Sequence, residues 1–299
     1  MKKKSLINKV IIALLSTSII FTSLAPISAK ADSYTVVTLG HDLTEAQKED
    51  MLKYFEVTKN DANVIEITSK EEYEALGNVA STAQLGNKSI SSSYVEPTSS
   101  GGLDITTNNL TWVTESMIRN ALITAGVENA VVKASAPFKV SGTAALTGIL
   151  KGFENSSNGS KIDEDKKEAA NEEIVVTGDL GDKIGQDDAT NLINDIKKDV
   201  IKKKPSSEKE IDKIVDKHSK PYDLSEEDRE KISSLMEKID KLNLNYSAIK
   251  DQLNDVTNQL KDKISNVDTE GILTKIGNFC SDIWTAFTNL FSSDDSSSK

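Results

Sequence analysis

The stretch Tyr34-Thr-Val-Val-Thr-Leu-Gly-His-Asp-Leu-Thr-Glu-Ala-Gln47 decides the fold class. Its first six residues are β-branched or aromatic apart from one Leu, and they stop at Gly40, as a strand does. Thr44 and Gln47 then form a capping box, and Met51, Leu52 and Phe55 supply the apolar stripe of the helix it opens. The pattern repeats outward from there. Asn63 to Thr68 (NVIEIT) reads as a second strand, and Ser69 with Glu72 as the capping box of a short helix that closes near Gly77. Residues 78–102 hold one strand around Ile90-Ser-Ser-Ser-Tyr94 and a loop at Pro97 to Gly102. Leu103 to Val113 is a longer strand with a kink expected at Asn108-Asn109.

Thr114 caps the next helix, with Met117, Ile118, Ala121 and Leu122 on one face and Gly126 as its stop. Asn129 to Ala136 is a strand, and Ser141-Gly-Thr opens a helix carrying Ala145, Leu146, Ile149 and Leu150. Alternating strands and helices predict a layered α/β or α+β domain over 32–155. A hairpin within 88–113 leaves a wholly parallel sheet undecided.

Asn155 to Ser160 (NSSNGS) marks a break, with 156–171 a linker or helix start, and a helical domain follows over 172–291. In Asp188 to Lys204, Ala189, Leu192, Ile193, Ile196 and Val200 share a face. Asp187 and Asp188 at its start and Lys202 to Lys204 at its end suit the helix dipole. Ser207 with Glu210 caps the next helix. From Ile232 a heptad pattern runs through Ile239, Tyr246, Leu253, Leu260 and Val267, with Leu235, Leu242, Ile249 and Val256 as the second series. It reads as one coiled-coil helix or as two helices broken at Asn243-Leu244-Asn245. A last amphipathic helix over 270–291 carries Phe279, Trp284, Phe287 and Phe291 at or beside its apolar face, for packing or for a partner. The Ser/Asp tail 292–299 is expected to be disordered.

Composition removes several function classes. The chain has 299 residues, 37% hydrophobic and 28% charged, with a net charge of −11. Such acidity argues against nucleic-acid binding, which needs clustered cations. One cysteine, Cys280, excludes an internal disulfide and a multi-cysteine metal centre, and two histidines, His41 and His218, leave little for a histidine site. Neither a metal nor a cofactor is expected.

Residues 1–31 read as a secretory signal peptide. Lys2, Lys3, Lys4 and Lys9 precede an apolar run from Val10 to Leu24, and Ala29-Lys-Ala31 is a cleavage site, with cutting between Ala31 and Asp32. Five lysines and no acids fall in this segment, so the chain from Asp32 carries 31 cations against 47 anions, net −16. No integral membrane span remains after cleavage, and the expected location is extracellular or loosely at the cell envelope.

Several ordered motifs then carry a family resemblance. They are Thr38-Leu-Gly-His-Asp-Leu-Thr44, Ser91-Ser-Ser-Tyr-Val-Glu-Pro97, Thr111-Trp-Val-Thr114, Ala136-Pro-Phe-Lys-Val-Ser-Gly-Thr-Ala-Ala-Leu-Thr-Gly148 and Glu172-Glu-Ile-Val-Val-Thr-Gly178. Across roughly 34–260 the chain resembles the YpuA-like family of secreted Gram-positive bacterial proteins, the DUF1002 domain. The resemblance implies an exported protein of a mainly spore-forming lineage. It implies no activity and no site residues.

Two places could carry chemistry. In a parallel sheet, His41-Asp42 and Ser141 both fall at the carboxyl edge, where open sheets place ligands. Ser141 could act there as nucleophile, His41 as its base and Asp42 as orienter, or the residues could be a helix cap and a turn. The helix start Ser141-Gly142-Thr143 could instead bind an anion. A calcium loop over Glu154 to Asp165 lacks the required residues at several positions. These readings favour a non-enzymatic envelope or extracellular interaction protein, with self-association or a partner through the C-terminal helices. The alternative is a hydrolase or transferase on extracellular or cell-wall material that uses His41 and Ser141.

Overall fold

Val36 to Gly40 form β1 (Val36–Gly40), buried along its whole length, so its residues are apolar or, at Thr38 and Gly40, small, rather than alternating with exposed polar ones. A computed structural model describes residues 35–157 and 161–265. β1 pairs parallel with β2 (Asn63–Ile67) and antiparallel with β3 (Ser92–Pro97). β3 pairs antiparallel with β5 (Ala130–Val140), which pairs parallel with β4 (Leu103–Leu110). The sheet order is β2-β1-β3-β5-β4. Helix α1 (Glu45–Tyr54) joins β1 to β2, and α4 (Glu115–Thr124) joins β4 to β5. Two parallel crossover units therefore flank one antiparallel strand, and the class is α+β.

Each sheet face has its own cover. On one face Val37, Leu39 and Tyr94 pack against Met51, Leu52 and Phe55 of α1. On the other lies α5 (Thr143–Glu154), close enough that a Cβ on Gly148 would sit 2.1 Å from Thr38 Oγ1. Thr38 and Ser93 face each other there through a buried 2.5 Å hydroxyl hydrogen bond, small polar groups that let the helix approach. Short helices α2 (Ser69–Leu76) and α3 (Thr82–Leu85) lead from β2 to β3.

The helical part comprises α6 (Glu164–Ile184), α7 (Gln186–Lys203), α8 (Glu208–Ser219), α9 (Glu226–Lys241) and α10 (Tyr246–Ser265). The main apolar cluster runs without interruption from Ile105, Val132 and Ile149 through Ile118 to Ile174, Ile193, Ile232 and Leu253. It crosses the position of the break expected at Asn155 to Ser160. Against α4, α6 and α7 the joint is polar. Lys197 Nζ, completely buried, donates to Asn120 O (2.9 Å), Thr124 Oγ1 (3.1 Å) and Glu173 Oε1 (2.7 Å). Thr124 Oγ1 donates to the other Glu173 oxygen at 2.5 Å. Burial pulls the Lys197 ammonium below the usual lysine range, and Glu173 opposes that pull.

Several local expectations change. The capping box of α2 is Thr68 with Glu71, one residue earlier than Ser69 with Glu72. Both quartets fit the motif, and the earlier one turns Glu72 into the interior. β5 runs on through Pro137 to Val140, beyond the expected end at Ala136. The kink in β4 falls at Asn109, which has φ 60°; pairing jumps there from Asn108–Ser135 to Leu110–Val140. Ser207 makes no side-chain cap, and Glu210 instead accepts from the Ser206 amide at 2.8 Å. The heptad stretch is two helices rather than one. Asn243 at φ 51° ends the first, and Asn245 Oδ1 accepts from the Ser247 amide at the start of the second. Their apolar series turn inward, with Ile232, Leu235, Ile239, Leu253, Val256 and Leu260 fully buried. The expected signal peptide with its Ala31–Asp32 cleavage, the 270–291 helix with Cys280, and the 292–299 tail lie outside the described residues, as do 158–160 of the calcium-like loop.

Removing one partner of the buried pair leaves a charge without compensation. Lys197→Met is expected to cost about 3–5 kcal/mol in urea unfolding, and the added change Glu173→Leu should recover much of that loss.

Candidate functional site

The carboxyl ends of β1, β2, β4 and β5 share one edge of the sheet with the start of β3. His41 leaves β1 with its amide on Ile67 O at 2.9 Å, and its Nδ1 lies 2.7 Å from Glu66 Oε2. Lys48 Nζ donates to Glu66 Oε1 at 2.6 Å. The Lys48 and then the His41 hydrogen bond hold the Glu66 carboxyl below its ordinary range. Asp42 turns the other way. Its Oδ2 accepts from the Ser89 amide at 2.7 Å, and its own amide donates to Ser89 O at 3.0 Å. Gly40 is fitted to the same segment, since a Cβ there would lie 2.5 Å from Ser89 O.

Ser141 lies past the far strand. Its carbonyl accepts from the Trp112 and Val113 amides, and its hydroxyl lies 3.4 Å from Thr143 Oγ1. β3 separates β1 from β5, which is two strand spacings or roughly 10 Å. The structure does not bring His41 to Ser141 as hydrogen-bond partners, and each takes a different neighbour. Nor does Ser141 cap α5. The cap position is Gly142 at φ 105°, a left-handed conformation suited to glycine, and it has no side chain to offer. The cap comes from elsewhere in the chain: Ser91 Oγ, at the entry to β3, accepts from the Ala145 amide at 2.8 Å.

Beside this first turn of α5 stands a side chain whose sequence motif predicts only a helix cap. Glu72, on α2, is 1% exposed, and neither carboxyl oxygen makes a well-formed hydrogen bond, although the Thr143 and Ser89 hydroxyls lie near enough to favour its ionised form. Ser89 Oγ, wholly buried, makes no well-formed hydrogen bond either. Burial raises the Glu72 carboxyl to about 7; the nearby Thr143 and Ser89 hydroxyls oppose the rise, and the Asp42 charge adds to it. A buried carboxyl, two hydroxyls and a helix start thus share one place at the sheet edge. Perturbed groups in such a position are a recognised mark of function. Among the described residues no group of three or more His, Cys, Asp or Glu could hold a metal ion.

A mixed sheet of this order, with a helical layer built onto its core, belongs here to one family. Residues 39–256 match the family described as a protein of unknown function (DUF1002), and the chain belongs to it. It is 36% identical over 290 residues to the uncharacterized protein YpuA of Bacillus subtilis (strain 168), covering 95% of this chain and 99% of that protein. No solved structure matches.

Two predictions follow from this edge. Ser91→Ala should cost about 1 kcal/mol by loss of the α5 cap, with Ser141→Ala within about 0.5 kcal/mol of the parent in chemical denaturation. Folded Glu72 keeps its proton up to about 7, whereas an ordinary glutamate releases it near 4.5. The folded form therefore binds more protons between those values, and stability falls as pH rises through them. Glu72→Gln should remove that fall and stabilise the chain above neutrality, by on the order of 3 kcal/mol, with little effect in acid.

Proposed function

We propose that this chain is an exported protein that acts at the cell envelope or outside the cell by binding rather than by covalent chemistry. The observation that carries the reading is the occupation of the sheet-edge groups. His41 is engaged with Glu66, Asp42 with the Ser89 backbone, and Ser141 with the β4–α4 link and Thr143. A nucleophile and its base need mutual hydrogen-bond reach, and these side chains serve other contacts. Export is supported by the lysine-led apolar segment and the Ala29-Lys-Ala31 site. Among the described residues no helix is long and apolar enough to cross a membrane. The surface proposed for self-association is the aromatic stripe around Trp284 and Phe287.

Two measurements test this. Mass spectrometry of the chain from culture medium should find Asp32 at the N-terminus; an intact Met1 terminus held in the cell would refute export. In sedimentation velocity the 32–299 chain should be a dimer, and Trp284→Asp with Phe287→Asp should make it a monomer. A monomeric parent would remove the self-association surface. Turnover of a wall polymer that is lost in both His41→Ala and Ser141→Ala would favour the hydrolase reading instead.

A further inference from the structure

Among the described residues the charges near Glu72 are committed elsewhere or of the same sign, except for the exposed Lys88, which is not among the charges acting on the carboxyl. On its own helix, Glu71 is paired with Lys151 of α5, and Lys151 also donates to Glu66 O at 3.0 Å. At the other end of α5, Glu154 pairs with Lys167 of α6 at 3.0 Å. From α6 the contact with α2 is neutral, Asn171 Nδ2 donating to Ala75 O at 3.3 Å. α3 contributes no charged residue, since its sequence is TAQL. The β1–α1 turn offers only the Asp42 carboxylate, which raises the cost of a second negative charge. Lys88, beside Ser89, is exposed and makes no ion pair among the described residues.

We infer that Glu72 is a proton-controlled latch between α2 and the first turn of α5, closed when its carboxyl is neutral and loosened when it ionises. An ionised carboxylate in this position has no cation and no well-formed hydrogen bond, so it must be hydrated. Water reaches it only if α2 moves off α5. That movement strains the Lys151–Glu71 pair and the 2.9 Å hydrogen bond from Tyr73 Oη to Gly86 O, both of which tie the same short helix down. It uncovers Ser89, Thr143 and the start of α5, all buried in the closed form. The signal is a rise in pH across neutrality. The reading does not depend on export or self-association.

The full chain allows a direct test. Carbon-13 NMR of the Glu72 carboxyl, assigned by its absence in Glu72→Gln, should give a midpoint near 7 in place of the ordinary 4.5. Amide hydrogen exchange is then compared at about pH 5.5 and about pH 8.5, after correction for base catalysis. With those two midpoints for the closed and open forms, opening of residues 69–76 should increase about 30-fold in the parent. In Glu72→Gln it should not increase. The latch is overturned if Glu72 titrates at its ordinary value, if the corrected exchange of α2 is the same at both pH values, or if Glu72→Gln shows the same rise. The replacement is isosteric and stays neutral at both pH values, so any pH-dependent opening that remains in it does not come from Glu72.

Discussion

The buried ammonium of Lys197 fixes how the sheet and the helical layer meet. It has three protons and three acceptors, one from each of Asn120 and Thr124 on α4 and one from Glu173 on α6. Hydrophobic contact alone tolerates sliding of one helix along another, because apolar area is not directional. A fully satisfied ammonium is directional, so α4, α6 and α7 have one register in which none of these groups is left unpaired. A second polar group extends the arrangement: Asn194 of α7 donates to Leu253 O and Thr257 Oγ1, both at 3.0 Å, and so places α10. α4 belongs to the sheet as the link from β4 to β5. The helices are thereby positioned on the sheet through the same residues that position them on one another.

Glu72 is the counterpart of Lys197. Both are charged residue types with almost no exposure, yet one has every hydrogen-bonding position filled and the other has no cation and no well-formed hydrogen bond. A buried ammonium whose hydrogen bonds are all made holds one arrangement of the helices, while a buried acid without a cation is stable only while it keeps its proton. The two residues divide the molecule into a part held firmly and a part held conditionally. The conditional part is short, from α2 to the entry of β3, and it borders the sheet edge where Ser91 supports α5.

Local signals were legible where the chain interacts with near neighbours. The strand Val36–Gly40, the Thr44 box, the kink at Asn109 and the inward stripe of α7 all arise from residues a few positions apart. What the sequence hid came from distant pairings. Ser91 caps a helix that starts some fifty residues later, a relation no spacing rule contains. Overlapping quartets, Thr68 to Glu71 and Ser69 to Glu72, satisfied the same motif, and only packing against α5 selects between them. Lys197 was within reach: it follows Ile196 on the apolar side of α7, where a lysine needs a buried partner. The β-branched run Ile174-Val-Val-Thr177 lies in the middle of α6 because its surroundings are apolar on most sides, and burial outweighs its weak helix propensity.

The antiparallel β3 has a bearing on how the chain reaches this structure. Each parallel pair is joined by one helix and can assemble from a continuous piece of chain. β3 unites them, with Val37 beside Tyr94 and Ser93 beside Ala134. Neither half of the sheet has a neighbour on its inner edge until this strand arrives, and both inner edges present unpaired backbone groups in the meantime. β3 begins with Ser92 and Ser93, directly after Ser91, and its fully buried apolar residue in the middle is Val95. Closure of the sheet requires β3 to reach both parallel pairs, a non-local pairing that carries a loop-closure cost before its contacts form. Until β3 is in place, both inner edges are open to pairing with another copy.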